Sequence, residues 1–340
     1  MPAELPTCRI CKQAIFAEPL RVQALHEDRG SFFDYRHCEH CGCLQIAEIP
    51  ADLERYYAPP YYAFTRNKSP KGRIRRRLIQ LRDRWEFSGQ GLLGWALAQW
   101  IPELSLRSLK NLALETEARI LEVGCGDGEL LLKLEQLGFH SLTGVDPYGS
   151  ESQVLGSAIQ LERSLDSVSG PFDLIMMHHS FEHVPDPEPL LRKLQTLLSS
   201  QGRLLLRIPL SSSTAFDHYG PHWIQLDAPR HLFLHSEKSL ERLLEQEGFS
   251  VSEVSYDSTG FQFWGSEQHL RGVPLFHPDS VAVRGHRSPL FSLRELWTFE
   301  RRAKALNRSG KGDQAIFLAR PLSGHSAPEG AAFSNEEGKR

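Results

Sequence analysis

Glu122, Gly124, Gly126 and Gly128 alternate through residues 119–130, and Asp146 closes the next apolar run 24 positions beyond Glu122. Glycines at that spacing let a ligand lie against bare backbone, where side chains would collide. An acid at the end of the following strand can accept both hydroxyls of a ribose. An adenosine-type ligand is the expectation. A dinucleotide would need its third glycine where this chain has Glu129, an acid facing the place of a pyrophosphate. That charge argues against NAD and suits a cationic ligand.

A second chemistry is written near the N-terminus, where five of the six cysteines fall within the first 43 residues. Cys8 with Cys11 and Cys38 with Cys41 form two Cys-x-x-Cys knuckles separated by 26 residues. Each knuckle offers two thiolates to one ion, and the two together complete a tetrahedral zinc site. The separation calls for an intervening hairpin with Phe32, Phe33 and Tyr35 in strand. Cys43 reads as a spare, His37 and His40 as weaker substitutes, and Cys125, inside the glycine turn, as a small packing residue. Four cysteine ligands leave no open coordination position, so the expected zinc is structural. Free thiols in a small packed lobe are the bland alternative.

Histidines supply the third set of candidates, since imidazole is the side chain that exchanges protons near neutral pH. His178 and His179 end an apolar run, His183 lies in a Phe-Glu-His-Val-Pro turn, and His222 and His231 fall in the polar, aromatic stretch 219–236. A connection that long and that polar is expected to be functional.

These residues need elements to hold them. Residues 119–123 read as a buried strand, followed by a glycine turn and a helix built on Leu130, Leu131, Leu134 and Leu137 and closed by Gly138. Residues 141–146 form a second strand, 172–178 a fourth and 202–209 a fifth. Helices are expected over 188–198 and 236–248, then a strand over 249–256 and a last, antiparallel strand over 313–320. The domains follow: a zinc lobe at 1–50, an aromatic and basic linker with helices at 51–117, and the main α/β domain at 118–320. Within it, 260–310 is a cap over the mouth of the site, and 321–340 is a disordered tail. Tyr56, Tyr57, Tyr61 and Tyr62 could line a cleft or merely pack as linker.

Composition limits the partners. The chain has 340 residues and a net charge of -3, so no global basic field demands nucleic acid. No apolar run approaches a membrane span and no signal pattern opens the chain, so a soluble, cytoplasmic protein is expected. Residues 66–84 carry nine basic side chains against one acid, Asp83. Followed by Leu92, Leu93, Trp95, Leu97 and Trp100, they form either a solvated face or a contact for an anionic membrane or a diphosphate.

The pattern Glu-x-Gly-x-Gly-x-Gly resembles motif I of class I S-adenosylmethionine-dependent methyltransferases. The likeness continues through Asp146, residues 172–186 and 202–209, and covers about 119–256. It implies a Rossmann-like, seven-stranded, mostly parallel sheet with the last strand antiparallel. It also implies that Glu122, Gly124 and Gly126 hold the methionine part, Asp146 the ribose, and residues 163–165, with Ser164, the flank of the adenine. Met177 and His178 then stand where the acceptor meets the sulfonium, and Glu182-His183 mainly hold the loop. The stretch 219–236 narrows the likeness to methyltransferases of sugar and polysaccharide biosynthesis that carry an N-terminal zinc lobe. In their C-methylating members the histidine matched by His231 serves as base, and Ser236 matches the serine that starts the next helix. Arg230 stands where those enzymes have glutamate, which puts C-methylation in doubt. It fits O-methylation, or a guanidinium contact to phosphate or uronate. The resemblance thus implies methyl transfer to a sugar of a nucleotide-linked or lipid-linked glycan precursor, with His231 as base and Asp227 and His222 as its helpers. The alternatives are a lipid, quinone or small-metabolite hydroxyl as acceptor, or a zinc-ribbon binding protein whose Rossmann domain is inactive.

Overall fold

The computed structural model describes residues 6–25, 30–57, 72–149, 153–157 and 159–322. Tyr61, Tyr62, the first basic residues of 66–84 and the tail from 323 lie outside them. The N-terminal strands are β1 (Leu20–Gln23), β2 (Phe32–His37) and β3 (Leu44–Ile46). Helices α1 (Arg73–Ser88), α2 (Leu92–Trp100) and α3 (Leu104–Arg107) follow. The alternating stretch then runs β4 (Arg119–Val123), α4 (Glu129–Gln136), β5 (Ser141–Val145), β6 (Gln153–Leu155), β7 (Ile159–Glu162) and β8 (Phe172–His178). After it come α5 (Pro187–Leu197), β9 (Leu198–Pro209), α6 (Thr214–Tyr219), β10 (Phe233–Leu234), α7 (Glu237–Gln246) and β11 (Phe249–Tyr256). The chain closes with α8 (Phe261–Leu270), α9 (Val281–Arg284), α10 (Leu293–Arg308) and β12 (Gln314–Pro321).

The main sheet has the order β11-β12-β9-β8-β4-β5-β7-β6. Strands β9, β8, β4, β5 and β7 run parallel, and β12 is antiparallel to both β9 and β11. The sheet has eight strands where seven were expected, because β6 adds an antiparallel edge on β7. No apolar run announces that strand, and Val154 at its centre is 75 % exposed. Strand β4 lies at the switch point: β5 and β7 extend to one side of it and β8 and β9 to the other. The carboxyl ends of β4, β5 and β8 therefore open a crevice at the position where such sheets bind ligands.

Alternation along the strands divides two apolar layers. Ile120, Leu174 and Met176 face Leu106, Leu109, Leu130, Leu131 and Leu134, from the segment after α2 and from α4. Leu121, Ile175, Met177 and Leu206 face the other way, onto Leu191 and Leu194 of α5 and Leu240 and Leu243 of α7. Helix α7 starts where expected, with Ser236 as N-cap in a reciprocal capping box with Ser239.

The N-terminal lobe is less separate than its position in the chain suggests. Its sheet has the order β1-β2-β3-β10, so its fourth strand comes from the long connection after β9. Cys8, Ile10, Tyr35 and Leu44 belong to the same buried cluster as Leu210, Trp223 and Phe233. The cap helix α8 bears on that connection as well: the Ser266 hydroxyl accepts from Ile224 N–H, and Tyr219 donates to Glu267. The lobe and α8 thus both hold on to the stretch 219–236.

Candidate active site

The chain leaves β4 through Gly124, Gly126 and Gly128 at φ 79, 52 and 74°, conformations that glycine adopts without strain. A Cβ on Gly124 would sit 2.3 Å from Cβ of Ser180, whose hydroxyl donates to the Val123 carbonyl. The Asp146 carboxylate accepts from the backbone N–H groups of Gly126 and Tyr148, both at 2.9 Å, which fixes it beside the turn. Burial pushes its carboxyl up, and those two N–H groups pull it back toward the ionised form.

Glu122 is the informative residue of this cradle. It is buried, and its Oε2 has no hydrogen-bond partner. Burial, resisted by the charge of Lys133 and helped by Asp146, pushes its carboxyl up to about 8. His178 Nδ1 lies 3.8 Å away and is also without a partner, while its Nε2 meets Ser108 Oγ at 2.9 Å. Burial holds the His178 ring well below its ordinary value, so it is neutral and makes no ion pair with Glu122. A buried, unsatisfied carboxyl at a strand end is a receptor for a cationic donor. It fits the ammonium of a methionine group.

A second cluster gathers Glu182, His183, Asp227, Arg230 and His231. His231 Nδ1 meets the Gln225 carbonyl at 2.7 Å, so that nitrogen carries the proton and Nε2 carries the lone pair. Nε2 stands 3.8 Å from both Glu182 Oε1 and Asp227 Oδ2. Burial first, and His183 second, push the ring down to about 4 against the pull of Asp227 and Glu182. Burial raises the Glu182 carboxyl, but His179, 3.4 Å away, together with His231 and His183, brings it down to about 2. Asp227 sits in the left-handed region at φ 37° and receives Nη2 of Arg230 on both oxygens, at 2.6 and 2.7 Å. His183 donates Nδ1–H to the Arg230 carbonyl at 2.9 Å and contacts Tyr57 Oη at 3.1 Å. Tyr57 stacks on Tyr148, the second residue after Asp146, with ring centroids 4.4 Å apart. One aromatic wall thus joins the Asp146 side to the histidine side.

Comparison with known proteins agrees with this geometry. Residues 93–254 match the family model described as a methyltransferase domain. That match covers less than half of the chain and marks the segment as similar to methyltransferase domains. The chain is 30% identical over 135 residues to a ubiquinone biosynthesis O-methyltransferase of Xanthomonas axonopodis pv. citri, covering 34% of this chain and 56% of that protein. Over 111 residues it is 32% identical to the protein of the same name from Xanthomonas oryzae pv. oryzae, covering 29% and 46%. The chain spans about half the length of the curated relatives it matches. A solved S-adenosylmethionine dependent methyltransferase from Mesorhizobium loti superposes with a TM-score of 0.41 at 17% identity, over 64% of this chain and 98% of that one.

The fold distributes the candidate residues unequally. Glu122, Gly124, Gly126 and Asp146 line one cradle, and His231 and Asp227 meet as expected. His178, expected with Met177 where the acceptor meets the sulfonium, shares the face of Met176 and Leu174 and turns toward Glu122 and Ser108, away from His231. His222 packs edge-on against His269 of the cap, with ring centroids 5.6 Å apart, and is not the helper of His231. The side chain of Met177 is buried in the α5 layer, so it is core and not a ligand contact. Ser164 lies just past β7, where its hydroxyl accepts from Asp166 N–H. Arg230 is buried on Asp227, which removes it as a contact for a substrate phosphate or uronate. Glu182 and His183, expected mainly to hold the loop, lie at the centre of the cluster, and the Phe-Glu-His-Val-Pro turn was the signal that could have shown it. The ligating atoms of Glu182, His183 and His231 all lie within 4.8 Å of one another.

The lobe reaches this cluster through the backbone. Tyr35, fully buried, donates its hydroxyl to the His231 carbonyl at 2.7 Å. Ile46 N–H donates to the Leu232 carbonyl, Leu232 N–H to the Glu182 carbonyl, and the Ser236 hydroxyl to the Cys41 carbonyl. Cys8, Cys11, Cys38 and Cys41 converge with all sulfurs within 4.8 Å, the pairs Cys8–Cys41 and Cys11–Cys38 at 3.8 and 3.5 Å. Sulfurs about 2.3 Å from a common tetrahedral centre stand about 3.8 Å apart, so this donor set fits one zinc ion. Cys43 is buried beside them, with its thiol toward the Leu44 carbonyl.

Proposed function

We propose that this chain transfers a methyl group from S-adenosylmethionine to a hydroxyl oxygen on a sugar of a nucleotide-linked or lipid-linked glycan precursor, with His231 as general base. The observation that carries the base assignment is the state of the His231 ring, while the sugar acceptor rests on the likeness of residues 219–236. Its Nδ1–H is committed to the Gln225 carbonyl, and its Nε2 lone pair lies between two carboxylates. With the ring down to about 4 it is uncharged at neutral pH and able to take a proton. Glu182 and Asp227 then stabilise the imidazolium that forms.

Bound S-adenosylmethionine supplies a methyl carbon that already carries a good leaving group. The protein's share is alignment and proton removal. In this reading Glu122 takes the ammonium, Gly124 and Gly126 leave room for the methionine part, and Asp146 takes the ribose. Arg230 holds Asp227 in place beside the base. Tyr148, stacked on the buried Tyr57, offers its one exposed face to a sugar ring. A zinc ion on Cys8, Cys11, Cys38 and Cys41 holds the lobe, and through Tyr35 the lobe holds the base.

A second reading keeps the cofactor and moves the acceptor to a phenol of the quinone type. The names of the curated relatives support it. So does a base held down to about 4, which is better matched to a phenol, ordinarily near ~10, than to the less acidic alcohol of a sugar. The experiment offers methyl-labelled S-adenosylmethionine and, in parallel, nucleotide sugars, lipid-linked sugars and catechols. Label on a sugar supports the first reading and label on catechols alone the second. Bound cofactor with no label on any of them would sink both.

A further inference from the structure

The hairpin formed by α1 and α2 leaves apolar side chains uncovered. Ile74, Leu78 and Leu81, on one face of α1 by their spacing, are 78, 37 and 41 % exposed. On and just after α2, Leu92, Leu93, Trp95, Trp100 and Ile101 are 86, 55, 50, 75 and 63 % exposed. Eight of the eighteen exposed large hydrophobics among the described residues thus fall within residues 74–101, a concentration that scattered surface residues do not produce. The two helices touch at Gly94, where an added Cβ would stand 2.3 Å from the Leu81 carbonyl oxygen, so these side chains belong to one hairpin.

The charge on the same hairpin has one sign. Arg73, Arg75, Arg76 and Arg77 are all exposed in the first turns of α1, and residues 73–82 hold no acid. The base of the hairpin is built differently. Arg82 pairs with Asp83 and Glu103, Lys133 with Glu103, and Arg107 donates two hydrogen bonds to the buried Glu86. A rigid foot therefore carries the basic first turns of α1 and the exposed apolar side chains of α2. From that foot the chain runs through α3 to Ser108, whose hydroxyl meets His178 beside Glu122.

We infer that the α1–α2 hairpin docks the protein on an anionic lipid bilayer. The arginines meet the phosphate headgroups, the two tryptophans take the headgroup boundary, and Leu92, Leu93 and Ile101 enter the acyl margin. With 16 and 9 residues, and no helix among the described residues long and apolar enough to cross a membrane, the hairpin lies on the surface. A nucleic acid would use the arginines and leave the leucines and isoleucines unexplained. The inference does not depend on which acceptor is methylated.

The test is sedimentation of the purified full chain with vesicles of phosphatidylcholine alone or with a quarter phosphatidylglycerol, at low and high salt. The protein should pellet with the anionic vesicles at low salt and be released by high salt. Changing Arg73, Arg75, Arg76 and Arg77 together to glutamine should weaken partitioning about a hundredfold to a thousandfold. Trp95→Ser with Trp100→Ser should weaken it about tenfold. These side chains are exposed, so circular dichroism should be unchanged in both variants. The inference is overturned by a chain that stays in the supernatant or pellets equally with both vesicles. It is likewise overturned if both variants bind like the parent, if RNA but no vesicle is retained, or if a dimer that the tryptophan variant loosens forms without vesicle binding.

Discussion

Replacing Glu122 by glutamine probes the ligand cradle, and its sign can be worked out in advance. In the folded protein the Glu122 carboxyl is pushed up to about 8 from its ordinary 4.5, because it is buried without a hydrogen-bond partner for Oε2. The folded chain therefore binds more protons at this site than the unfolded chain between those two values, so stability falls as pH rises through that window. At about 1.36 kcal/mol per tenfold change in proton affinity, the full effect is about 5 kcal/mol, lost progressively up to about pH 8. Glu122→Gln resembles the protonated carboxyl in shape and cannot ionise. Its ligand-free form should be close to the parent near pH 5 and more stable by several kcal/mol at pH 9, by about 5 kcal/mol at most. Urea unfolding across that range reads the difference directly. The same variant should bind S-adenosylmethionine about ten to a hundred times more weakly, since it loses a charge-assisted hydrogen bond. Calorimetry in buffers of different ionisation heat should show the parent, but not the variant, releasing a proton on binding near pH 7. A stability difference that does not change with pH, together with unchanged affinity, would refute the assignment of Glu122 as the receptor of the cationic group.

Three further outcomes follow from the second cluster and the lobe. His231→Ala should keep cofactor affinity and lose turnover by about a hundredfold to ten-thousandfold, as read by label transfer; full activity would remove it as the base. Tyr35→Phe strands the buried His231 carbonyl, so it should cost about 1–3 kcal/mol in unfolding experiments and lower turnover without changing cofactor affinity. Elemental analysis should find about one zinc per chain, and Cys38→Ser should reduce both the metal and turnover, because β3 carries β10 and with it the segment after His231.

What was legible in the sequence is what local rules specify. Alternating glycines after an apolar run dictate a turn of bare backbone, and Asp146 ends the next strand by the same periodicity. The paired knuckles required only that four thiolates meet. The strand β6 was hidden because a short, exposed edge strand leaves no hydrophobic pattern. The sharing of β10 with the lobe was hidden for a different reason. Two residues pairing across nearly 190 positions of sequence carry no local signal. Period two along β8 does separate His178 from Met177, yet it cannot say which face meets the acceptor. That assignment depends on what packs above each face, α3 on one side and the connection held by the lobe on the other. Arg230 reads in the sequence as a guanidinium free to meet a phosphate or uronate and becomes a buried clamp because the turn at Asp227 folds it back.

The central claim is that the cradle of Glu122, Gly124, Gly126 and Asp146 takes a cationic adenosyl ligand. Calorimetric titration of the purified chain with S-adenosylmethionine, S-adenosylhomocysteine and NAD tests it most directly. Micromolar binding of the first two and none of NAD is the expected result. Absence of binding by either adenosyl compound would contradict it and reduce the glycine turn to scaffold.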